Sequence, residues 1–383
     1  MMISPKRRIV YLSGTRADYG LMRSTLRAIH QHPRLQLSLI VTGTHLLRRF
    51  GHTIDVIRKD RFPICATIRI PDKTTPRDTT HSFSILVERV AGALQELRAD
   101  ILLLEADRYE ALSAAVASAY LNIPIAHVSG GDVSGSIDDA ARRAITSLAH
   151  IHFPGTRISA ERIKRMGEEN WRIHMVGTVG ADQPVPPVSR GRRVAARLRL
   201  DPHKPIILVS EHPVPAEARC AHAQMEATMR AIVELKQQTV IFYPNQDAGA
   251  DDIINVIKRY RRFPFIRVVK SLPRDDFLAL MRVAAVIVGN SSAGIVEAPA
   301  LKLPAVNIGT REWGRERGAN VIDVPHDVSA IKQAIQNASS SAFRRKLAHA
   351  RNPYRGRKTP LLIARVLASI PLDDRLIQKR MTY

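Results

Sequence analysis

Cysteine and long apolar runs are scarce in this sequence. The 383 residues include two cysteines, Cys65 and Cys220, whose spacing does not match a metal site. A reducing compartment would leave both as thiols, and we expect them to be small packing residues. No apolar run reaches the roughly 18 residues of a membrane-spanning helix, and the N-terminus enters a strand instead of a cleavable signal sequence. We therefore expect a cytoplasmic protein without membrane insertion.

Acidic residues are also few. The chain has 35 Asp and Glu against 58 Lys and Arg, which gives a formal net charge of +23. Such a charge suits nucleic acid, a membrane surface or a polyanionic substrate, and charge alone does not choose between them. The basic residues are spread along the chain without zinc-finger spacing, an aromatic RNA-binding motif or a basic heptad region. We expect no nucleic-acid partner, and the reason for the high basic charge stays open.

The apolar pattern predicts the fold class. Short β-rich runs alternate with amphipathic helical stretches, first from RRIVYLSG and again from PIILVSEHP onward. Strands that are buried on both faces and separated by helices imply parallel, doubly wound sheets. We predict an α/β protein with two Rossmann-like domains. Ligands bind at the carboxyl ends of parallel strands, so we expect the active site in a cleft between the domains.

The same pattern predicts where the domains begin and end. The first domain covers residues 1–180, and the C-terminal segment 360–383 packs back on it as a helix. The second domain covers residues 181–359. The stretch from Ala181 to Pro205 includes the sequence QPVPPV and is interpreted as a linker between the domains.

The first strand ends in the motif GTRADYG, residues 14–20. Its glycine turn, the Arg16 guanidinium and the N-terminus of the following helix all suit an anionic group. A structural turn capped by Asp18 explains the motif equally well. The residues alone leave both interpretations open.

A more specific motif is VGNSSAGIVEAPA, residues 288–300. Ser291 and Ser292 bring two hydroxyls and several backbone N–H groups to the start of a helix, which can hold a diphosphate. Glu297 follows one turn later, and its carboxylate can accept hydrogen bonds from the two hydroxyls of a ribose. The alternative is that the serines are helix caps and that Glu297 interacts with the helix dipole.

Carboxylates follow two strands of the first predicted domain. The segment EADRYEA places Asp107 and Arg108 where a buried strand ends, and the two could also form a plain salt bridge. The segment HVSGGDVSGSIDDAARRA then brings polar groups into one glycine-rich loop before a helix: His127, Ser129, Asp132, Asp138 and Asp139. Their spacing does not match a metal-binding motif. We predict proton transfer or binding of sugar hydroxyls, and no metal.

Two strand ends of the second predicted domain are also polar. SEHPVP leaves His212 at a strand end, where an imidazole could act on a leaving group, although a lone histidine is more often structural. YPNQDAG ends the next strand with Asn245 and Asp247, whose polar groups could bind a ligand.

Together these motifs resemble one enzyme family. GTRADYG, DRYEA, SGGDVSGSIDDAARRAITSLAH, HPV, YPNQDAG, GNSSAGIVEAPA and VNIGTREWGRERGANVIDV are similar to motifs of the hydrolysing UDP-N-acetylglucosamine 2-epimerases of sialic and legionaminic acid synthesis. The resemblance runs in one order from about Arg8 to Tyr354. It implies the glycosyltransferase-B-like two-domain fold and a role in capsule or lipopolysaccharide biosynthesis.

The resemblance also implies the reaction. A base removes the proton at sugar carbon 2 while UDP leaves carbon 1, and water then adds to the 2-acetamidoglucal and yields the free 2-epimer. Asp107, Asp138 and His212 match positions of the catalytic centre. Further residues match nucleotide-binding positions: Arg16, Arg108, Ser291, Ser292, Glu297 and Arg311, with Asn245 and Asp247 as additional contacts. This chemistry implies no cofactor, and we expect a homo-oligomer, a dimer or a tetramer.

This sequence departs from the family pattern near the catalytic centre. The family commonly carries a catalytic glutamate in an HIEGG segment, whereas this chain has HVSGG with Ser129 at that position. A serine cannot act as an acid or base near neutral pH, and Asp132, three residues on, is a possible substitute. In addition, Ala106 replaces the usual glycine before the DR pair, and Arg143 stands where histidine is usual.

Three hypotheses follow from these residues. The first is a hydrolysing 2-epimerase that acts on UDP-N-acetylglucosamine or a modified relative such as a 2,4-diacetamido sugar. The second is a glycosyltransferase or nucleotide-sugar hydrolase that uses the same UDP site. The third is an inactive nucleotide-sugar sensor, against which the retained Asp107, Asp138 and His212 argue.

Overall fold

The computed structural model describes residues 5–72, 75–105, 107–134, 137–181, 185–245, 247–356 and 358–383. It divides the chain into two compact units. The first unit comprises residues 1–132, 138–183 and 354–383, and the second comprises residues 133–137 and 184–353. Each unit contains one parallel sheet with helices on both faces.

The sheet of the first unit has the strand order β3-β2-β1-β4-β5-β6 in the described part of the chain. Its strands are β1 (Arg7–Ser13), β2 (Leu35–Val41), β3 (Ile64–Thr67), β4 (Ile101–Glu105), β5 (Ile125–Val128) and β6 (Ile151–Phe153). The helices that alternate with them are α1 (Arg16–Gln31), α2 (Ile54–Lys59), α3 (Pro76–Glu96), α4 (Tyr109–Tyr120), α5 (Ile137–Leu148) and α6 (Arg157–Arg165).

The side chains of β1 alternate between the two faces of the sheet, and this explains why the unit has a helical layer on each face. Ile9 and Tyr11 of β1 belong to one apolar core, which includes Met22 of α1. Val10 and Leu12 belong to the core on the opposite face, which includes Leu86 of α3. Because successive side chains of a strand point to opposite faces, a continuous apolar run is buried between two helical layers.

The second unit repeats this arrangement. Its strand order is β12-β11-β10-β7-β8-β9 among the described residues. The strands are β7 (Ile206–Val209), β8 (Gln238–Phe242), β9 (Ile266–Val269), β10 (Val286–Gly289), β11 (Ala305–Ile308) and β12 (Val321–Val324). The helices are α7 (Val188–Arg197), α8 (Ala221–Leu235), α9 (Ala250–Tyr260), α10 (Arg274–Val283), α11 (Ala293–Val296), α12 (Val328–Ser339) and α13 (Ser341–Ala348). The predicted fold class is therefore confirmed.

The C-terminal segment returns to the first unit as α14 (Thr359–Ser369) and α15 (Asp374–Ile377). Helix α14 packs on α1, and the Arg7 guanidinium donates to the carbonyl of Leu367 at 3.0 Å. The buried Arg172 guanidinium donates to the carbonyls of Leu376 at 2.8 Å and Arg375 at 2.7 Å. These bonds fix the end of the chain on the sheet of the first unit.

Two expectations from the sequence need correction. The boundary between the units, after residue 183, falls within the predicted linker from Ala181 to Pro205, but this stretch also contains α7, whose Gly191 lies against α10. A Cβ on Gly191 would come within 2.3 Å of the Ala279 carbonyl oxygen, so only glycine permits this approach. Cys65 and Cys220 are exposed and are not packing residues; Cys65 lies on the edge strand β3 and points outward. No helix in the described ranges is long and apolar enough to cross a membrane.

Candidate functional site

A buried arginine organises the carboxylates at the carboxyl end of the first sheet. Arg142 of α5 forms an ion pair with Asp107, which follows β4, and a second with Asp139 at 2.7 Å. It also donates to the carbonyl of Asp132 at 2.9 Å. The Arg142 side chain is 3% exposed, so these contacts are largely shielded from water. The arginine therefore fixes the position of Asp107 relative to the loop that carries Asp132.

The packing of α5 decides which of two adjacent arginines enters the site. Arg142 and Thr146 lie one turn apart, both are buried, and the Thr146 hydroxyl donates to the Arg142 carbonyl at 2.9 Å. Arg143, the residue that stands in place of the usual histidine, is exposed on the other face of the helix. The departure at position 143 therefore leaves the buried ion pairs of Arg142 unaffected.

The loop after β5 holds two further predicted residues. Asp132 accepts a hydrogen bond from the Ser159 hydroxyl at 2.6 Å. The Ser129 hydroxyl donates to Glu105 Oε1 at 3.3 Å, and Ser129 has a φ of 63°, in the left-handed region. Asp138 lies in the first turn of α5 and is partly exposed. Ala106 lies outside the described residues.

Glu105, which the sequence analysis did not select, is the last residue of β4 and is 7% exposed. Burial, helped by the nearby Asp18 carboxylate and opposed by the Arg142 guanidinium, raises the pKa of Glu105 to about 8. Near neutral pH this carboxyl group is therefore close to its own titration range, which suits a group that exchanges protons.

The GTRADYG turn is built by Asp18. The Asp18 carboxylate accepts the backbone N–H groups of Gly14 at 3.0 Å and Thr15 at 2.7 Å, and Thr15 caps α1 reciprocally. This is the structural alternative that the sequence left open. Arg16 is the first residue of α1 and partly exposed, and its contact with a nucleotide stays a prediction.

Arg108 forms an ion pair with Glu110, whereas a salt bridge with Asp107 was the alternative that the sequence left open. Its Nε donates to Glu110 Oε2 at 3.1 Å, whereas Asp107 pairs with Arg142. Glu110 is buried beside the turn, and a Cβ on Gly14 would lie 3.1 Å from its side chain. The Glu110 carboxylate thus holds Arg108 at the start of α4, next to the end of β1.

In the second unit, Asn290 joins the ends of two neighbouring strands. It follows β10, and its side chain accepts from the backbone N–H of His212 at 2.7 Å and donates to the His212 carbonyl at 2.8 Å. Arg311 donates to the Asn290 carbonyl at 3.1 Å and pairs with Glu312 at 2.9 Å. Two predicted site residues, His212 and Arg311, are therefore held by one buried asparagine.

The hydrogen bonds of His212 assign its tautomer. The backbone N–H of Asn245, after β8, donates to His212 Nδ1 at 3.0 Å. A neutral ring that accepts at Nδ1 carries its proton on Nε2 and can donate from that atom. Asn245 also donates through its side chain to Asp247. The strand ends of the second unit thus bring together His212, Asn245 and Asp247, as the sequence motifs suggested.

The GNSS motif lies at the end of β10. Ser292 precedes α11 without a side-chain capping bond, and the Ser291 hydroxyl accepts from the backbone N–H of Ala293 at 3.4 Å. Helix α11 has four residues, so its dipole is small. Glu297 is buried and forms an ion pair with Arg274 at 2.5 Å. A ribose bound to Glu297 would share this carboxylate with Arg274.

Sequence reasoning missed Glu105, Arg142 and Arg274, each for a physical reason. Arg142 and Arg274 find their partners at long sequence separation, which spacing rules cannot reveal. Glu105 did leave a signal, because a glutamate that ends the apolar run ILLL is placed at a sheet edge beside other strand ends. No group of three or more His, Cys, Asp or Glu within the described ranges is arranged to hold a metal ion.

The chain matches a known protein family over most of its length. Residues 27–368 match the family described as UDP-N-acetylglucosamine 2-epimerase. The chain belongs to this family of enzymes. A UDP-N,N'-diacetylbacillosamine 2-epimerase (hydrolyzing) from Legionella pneumophila is 36% identical over 98% of this chain and 100% of that protein.

Two more members of the family extend the comparison. A GDP/UDP-N,N'-diacetylbacillosamine 2-epimerase (hydrolyzing) from Campylobacter jejuni is 30% identical over 88% of this chain and 89% of that protein. The solved UDP-GlcNAc 2-epimerase of Methanocaldococcus jannaschii, in complex with UDP-GlcNAc and UDP, has a TM-score of 0.78 at 17% identity. That match covers 94% of this chain and 99% of the solved chain, and it establishes the shared fold.

Proposed function

We propose that this chain is a hydrolysing 2-epimerase that converts a UDP-2-acetamido sugar to UDP and the free 2-epimeric sugar. UDP-N-acetylglucosamine and its 2,4-diacetamido relatives are the candidate substrates. The observation that carries the proposal is the full-length similarity to the Legionella pneumophila enzyme, whose name describes hydrolytic 2-epimerisation of a diacetamido sugar. A cytoplasmic location and a homo-oligomeric state stay predictions.

The proposed reaction has two balanced steps. In the elimination, the C2–H bond breaks, its electron pair forms the C1=C2 double bond, and the C1–O bond breaks with its pair leaving on UDP. In the addition, the electron pair of the C1=C2 double bond takes a proton at carbon 2, the oxygen of water bonds to carbon 1, and one O–H bond of that water breaks and releases its proton. The first step needs a base near carbon 2 and a stabilised leaving diphosphate.

The first unit offers the proton-transfer groups in this proposal. Asp107 and Asp138 are the candidate acid and base groups, and Arg142 holds Asp107 in one position. A fixed carboxylate is favourable for catalysis, because misplacement by about 1 Å can lower a rate on the order of a hundredfold. Asp132 is tied to Ser159 and is a further candidate for proton transfer.

The second unit offers the nucleotide and leaving-group contacts. We assign the diphosphate to the Ser291 and Ser292 region with Arg311, and the ribose to Glu297. His212, with its proton on Nε2, could donate to the departing phosphate oxygen. The backbone N–H of Asn245 orients this imidazole, and the Asn245 side chain donates to Asp247. Arg16 and Arg108 remain candidates for binding the negatively charged phosphates of the nucleotide.

One observation favours a second candidate function. Ser129 offers no carboxylate where the family commonly has a glutamate. A glycosyltransferase or a nucleotide-sugar hydrolase could use the same nucleotide contacts without abstracting the carbon 2 proton. The retained carboxylates and His212 support the epimerase, while Ser129 is the feature on which the alternative rests.

Incubation with a panel of nucleotide sugars tests the proposal. The panel contains UDP-N-acetylglucosamine, a UDP-2,4-diacetamido sugar and the GDP form of the latter, because one relative is named for both nucleotides. We expect release of UDP together with a free sugar. This sugar should have a hydroxyl group in place of the nucleotide at carbon 1 and the inverted configuration at carbon 2. Release of a sugar with unchanged configuration would indicate the hydrolase, and dependence on an acceptor would indicate the transferase.

A further inference from the structure

A buried carboxyl group faces the position where the family glutamate is missing. Glu105 ends β4, Ser129 follows the adjacent parallel strand β5, and the Ser129 hydroxyl donates to Glu105 Oε1 at 3.3 Å. Both residues lie at the carboxyl edge of the sheet, where Asp107 and Arg142 also meet. A carboxyl group is therefore present at this edge, although it comes from the neighbouring strand.

The surroundings of Glu105 differ from those of structural carboxylates in the same unit. Asp18 accepts several backbone and hydroxyl hydrogen bonds, and Glu168 pairs with Lys379 at 2.5 Å and with His152 at 3.0 Å. Within the described residues, the Glu105 carboxyl has the single hydrogen bond from Ser129 and forms no ion pair. A buried acid that forms no ion pair lowers stability when it ionises, so a structural role explains Glu105 poorly.

The backbone of Ser129 is a second, independent observation. Its φ of 63° is in the left-handed region, which is unfavourable for a non-glycine residue. The backbone N–H of Ser129 donates to the Phe153 carbonyl at 3.2 Å, which holds the residue in this conformation. In this conformation the Ser129 hydroxyl lies within hydrogen-bond distance of the Glu105 carboxyl group.

The proposed reaction needs a second proton-transfer group. The glucal intermediate is planar at carbon 2, so a base that returned its own proton to the same face would restore the starting configuration. Inversion requires that a proton arrive on the opposite face. We propose that Glu105 is this additional acid–base residue and that the Ser129 hydroxyl orients its carboxyl group. This proposal rests on the epimerase function proposed above.

The proton balance is as follows. The Glu105 carboxyl gives its proton to carbon 2 while the oxygen of water bonds to carbon 1. The surplus proton of that water returns to the Glu105 carboxylate. The proton that the first base took from carbon 2 is released to solvent, and the electron pair of the broken C1–O bond has left with UDP. Glu105 therefore begins and ends each turnover in its acid form.

The charges around Glu105 favour this acid form. Burial raises the pKa of Glu105 to about 8, and the carboxylates of Asp18 and Asp132 act in the same direction. Arg142 and the hydrogen bond from Ser129 lower the pKa. Tyr11 of β1 also lies close, and the Glu105 charge contributes to the raised pKa of its hydroxyl. Below about pH 8 the residue can donate, and activity should fall as the pH rises through that value.

Glu105→Gln in the full chain is the direct test. We expect turnover to fall about a hundred- to ten-thousand-fold, with UDP affinity retained, because the amide has the same shape but no acidic proton. Glu168→Gln is the matched control, a buried glutamate of the same unit that pairs with His152 and Lys379. The control should lower the melting temperature without moving the pH dependence of turnover.

A stability measurement checks the protonation state without using activity. A carboxyl group whose pKa is raised by folding binds its proton more tightly in the folded state, so its contribution to stability is lost as pH rises from about 4.5 to about 8. Glu105→Gln should remove this loss, so that the variant gains stability relative to wild type over that range. If the difference in the free energy of unfolding between Glu105→Gln and wild type stays constant from pH 5 to pH 8, the assignment is overturned.

Two further variants exclude a merely structural effect. Ser129→Ala removes a hydrogen bond that lowers the Glu105 pKa, so the basic limb of the turnover profile should move up by about one pH unit. The double variant Glu105→Gln with Ser129→Glu returns a carboxyl group from the adjacent strand and should recover part of the activity. If Ser129→Ala keeps the basic limb of wild type and the double variant recovers no activity, Glu105 is not the additional acid–base residue.

The outcomes separate this proposal from the epimerase function. Incorporation of solvent deuterium at carbon 2 by wild type, together with wild-type turnover in Glu105→Gln, overturns the Glu105 assignment alone. No incorporation by wild type with any tested nucleotide sugar overturns the proposed function and this assignment together. Incorporation by wild type and its loss in Glu105→Gln, with partial rescue by Ser129→Glu, is the result that we expect.

Discussion

Replacing Arg142 with methionine tests whether one buried guanidinium holds the first-unit site together. Methionine keeps much of the side-chain length and removes the charge that bridges Asp107, Asp139 and the Asp132 carbonyl. Breaking a buried ion pair from one side costs about 3–5 kcal/mol, because the remaining charge stays buried without a partner. Asp107 and Asp139 are 17% and 20% exposed, so water can solvate them in part. We therefore expect the lower end, about 3 kcal/mol.

The expected loss is large enough to measure by thermal unfolding. For a unit of roughly 200 residues, each kcal/mol corresponds to about 2–4 °C, so the melting temperature should fall by about 6–12 °C. Arg143→Met is the matched control, since Arg143 is the exposed neighbour on the same helix. An exposed substitution of this kind changes stability by about 0.5 kcal/mol or less, which corresponds to a shift of at most about 2 °C.

The turnover of Arg142→Met and Arg143→Met should differ in the same direction as their stability. Arg142→Met should also lower turnover, because Asp107 loses the contact that positions it, whereas Arg143→Met should retain it. Circular dichroism on heating and a UDP-release assay on both variants measure the two effects. The reasoning would be refuted if Arg142→Met melted within about 2 °C of wild type, or if Arg143→Met fell as far as Arg142→Met.

Two predictions concern the assigned roles of single carboxylates. Asp107→Asn should lower turnover about a hundred- to ten-thousand-fold with nearly unchanged UDP affinity, because the amide keeps the shape but cannot accept a proton; steady-state kinetics with full turnover in this variant would remove Asp107 from the mechanism. Glu297→Ala should weaken UDP binding about tenfold or more, because a charge-assisted hydrogen bond to the ribose is lost. Calorimetry that finds unchanged UDP affinity in a correctly folded Glu297→Ala protein would exclude the ribose contact.

The fold could be predicted because its signal is local and repeated. Each strand is a short apolar run and each intervening helix is amphipathic, and this pattern specifies a parallel sheet with two helical layers. Helix α7 was not predicted, because the proline-rich sequence QPVPPV at the start of its segment is typical of a linker. The following residues have strongly basic character, yet Gly191, Val194 and Ala195 form a narrow buried stripe that packs on α10.

The site could be predicted only as far as the strand ends. Motifs at the ends of β4, β7, β8 and β10 identified residues that the structure places at the corresponding sheet edges. The ion pairs between distant parts of the unit could not be predicted. Arg142 could pair with any nearby acid, and the adjacent positions of Asp107 and Arg108 suggested a salt bridge between those two residues. The position of Glu105 beside Ser129 depends on the pairing of β4 with β5, which becomes visible only in the sheet.

Turnover in heavy water tests the central claim most directly. The enzyme is incubated with UDP-N-acetylglucosamine and with a UDP-2,4-diacetamido sugar, and the released sugar is analysed by mass spectrometry and proton NMR. Elimination followed by protonation from solvent-exchangeable groups must place one deuterium at carbon 2. The account predicts UDP release together with a free, inverted sugar that carries this deuterium. A released sugar that keeps its original proton at carbon 2 would contradict it.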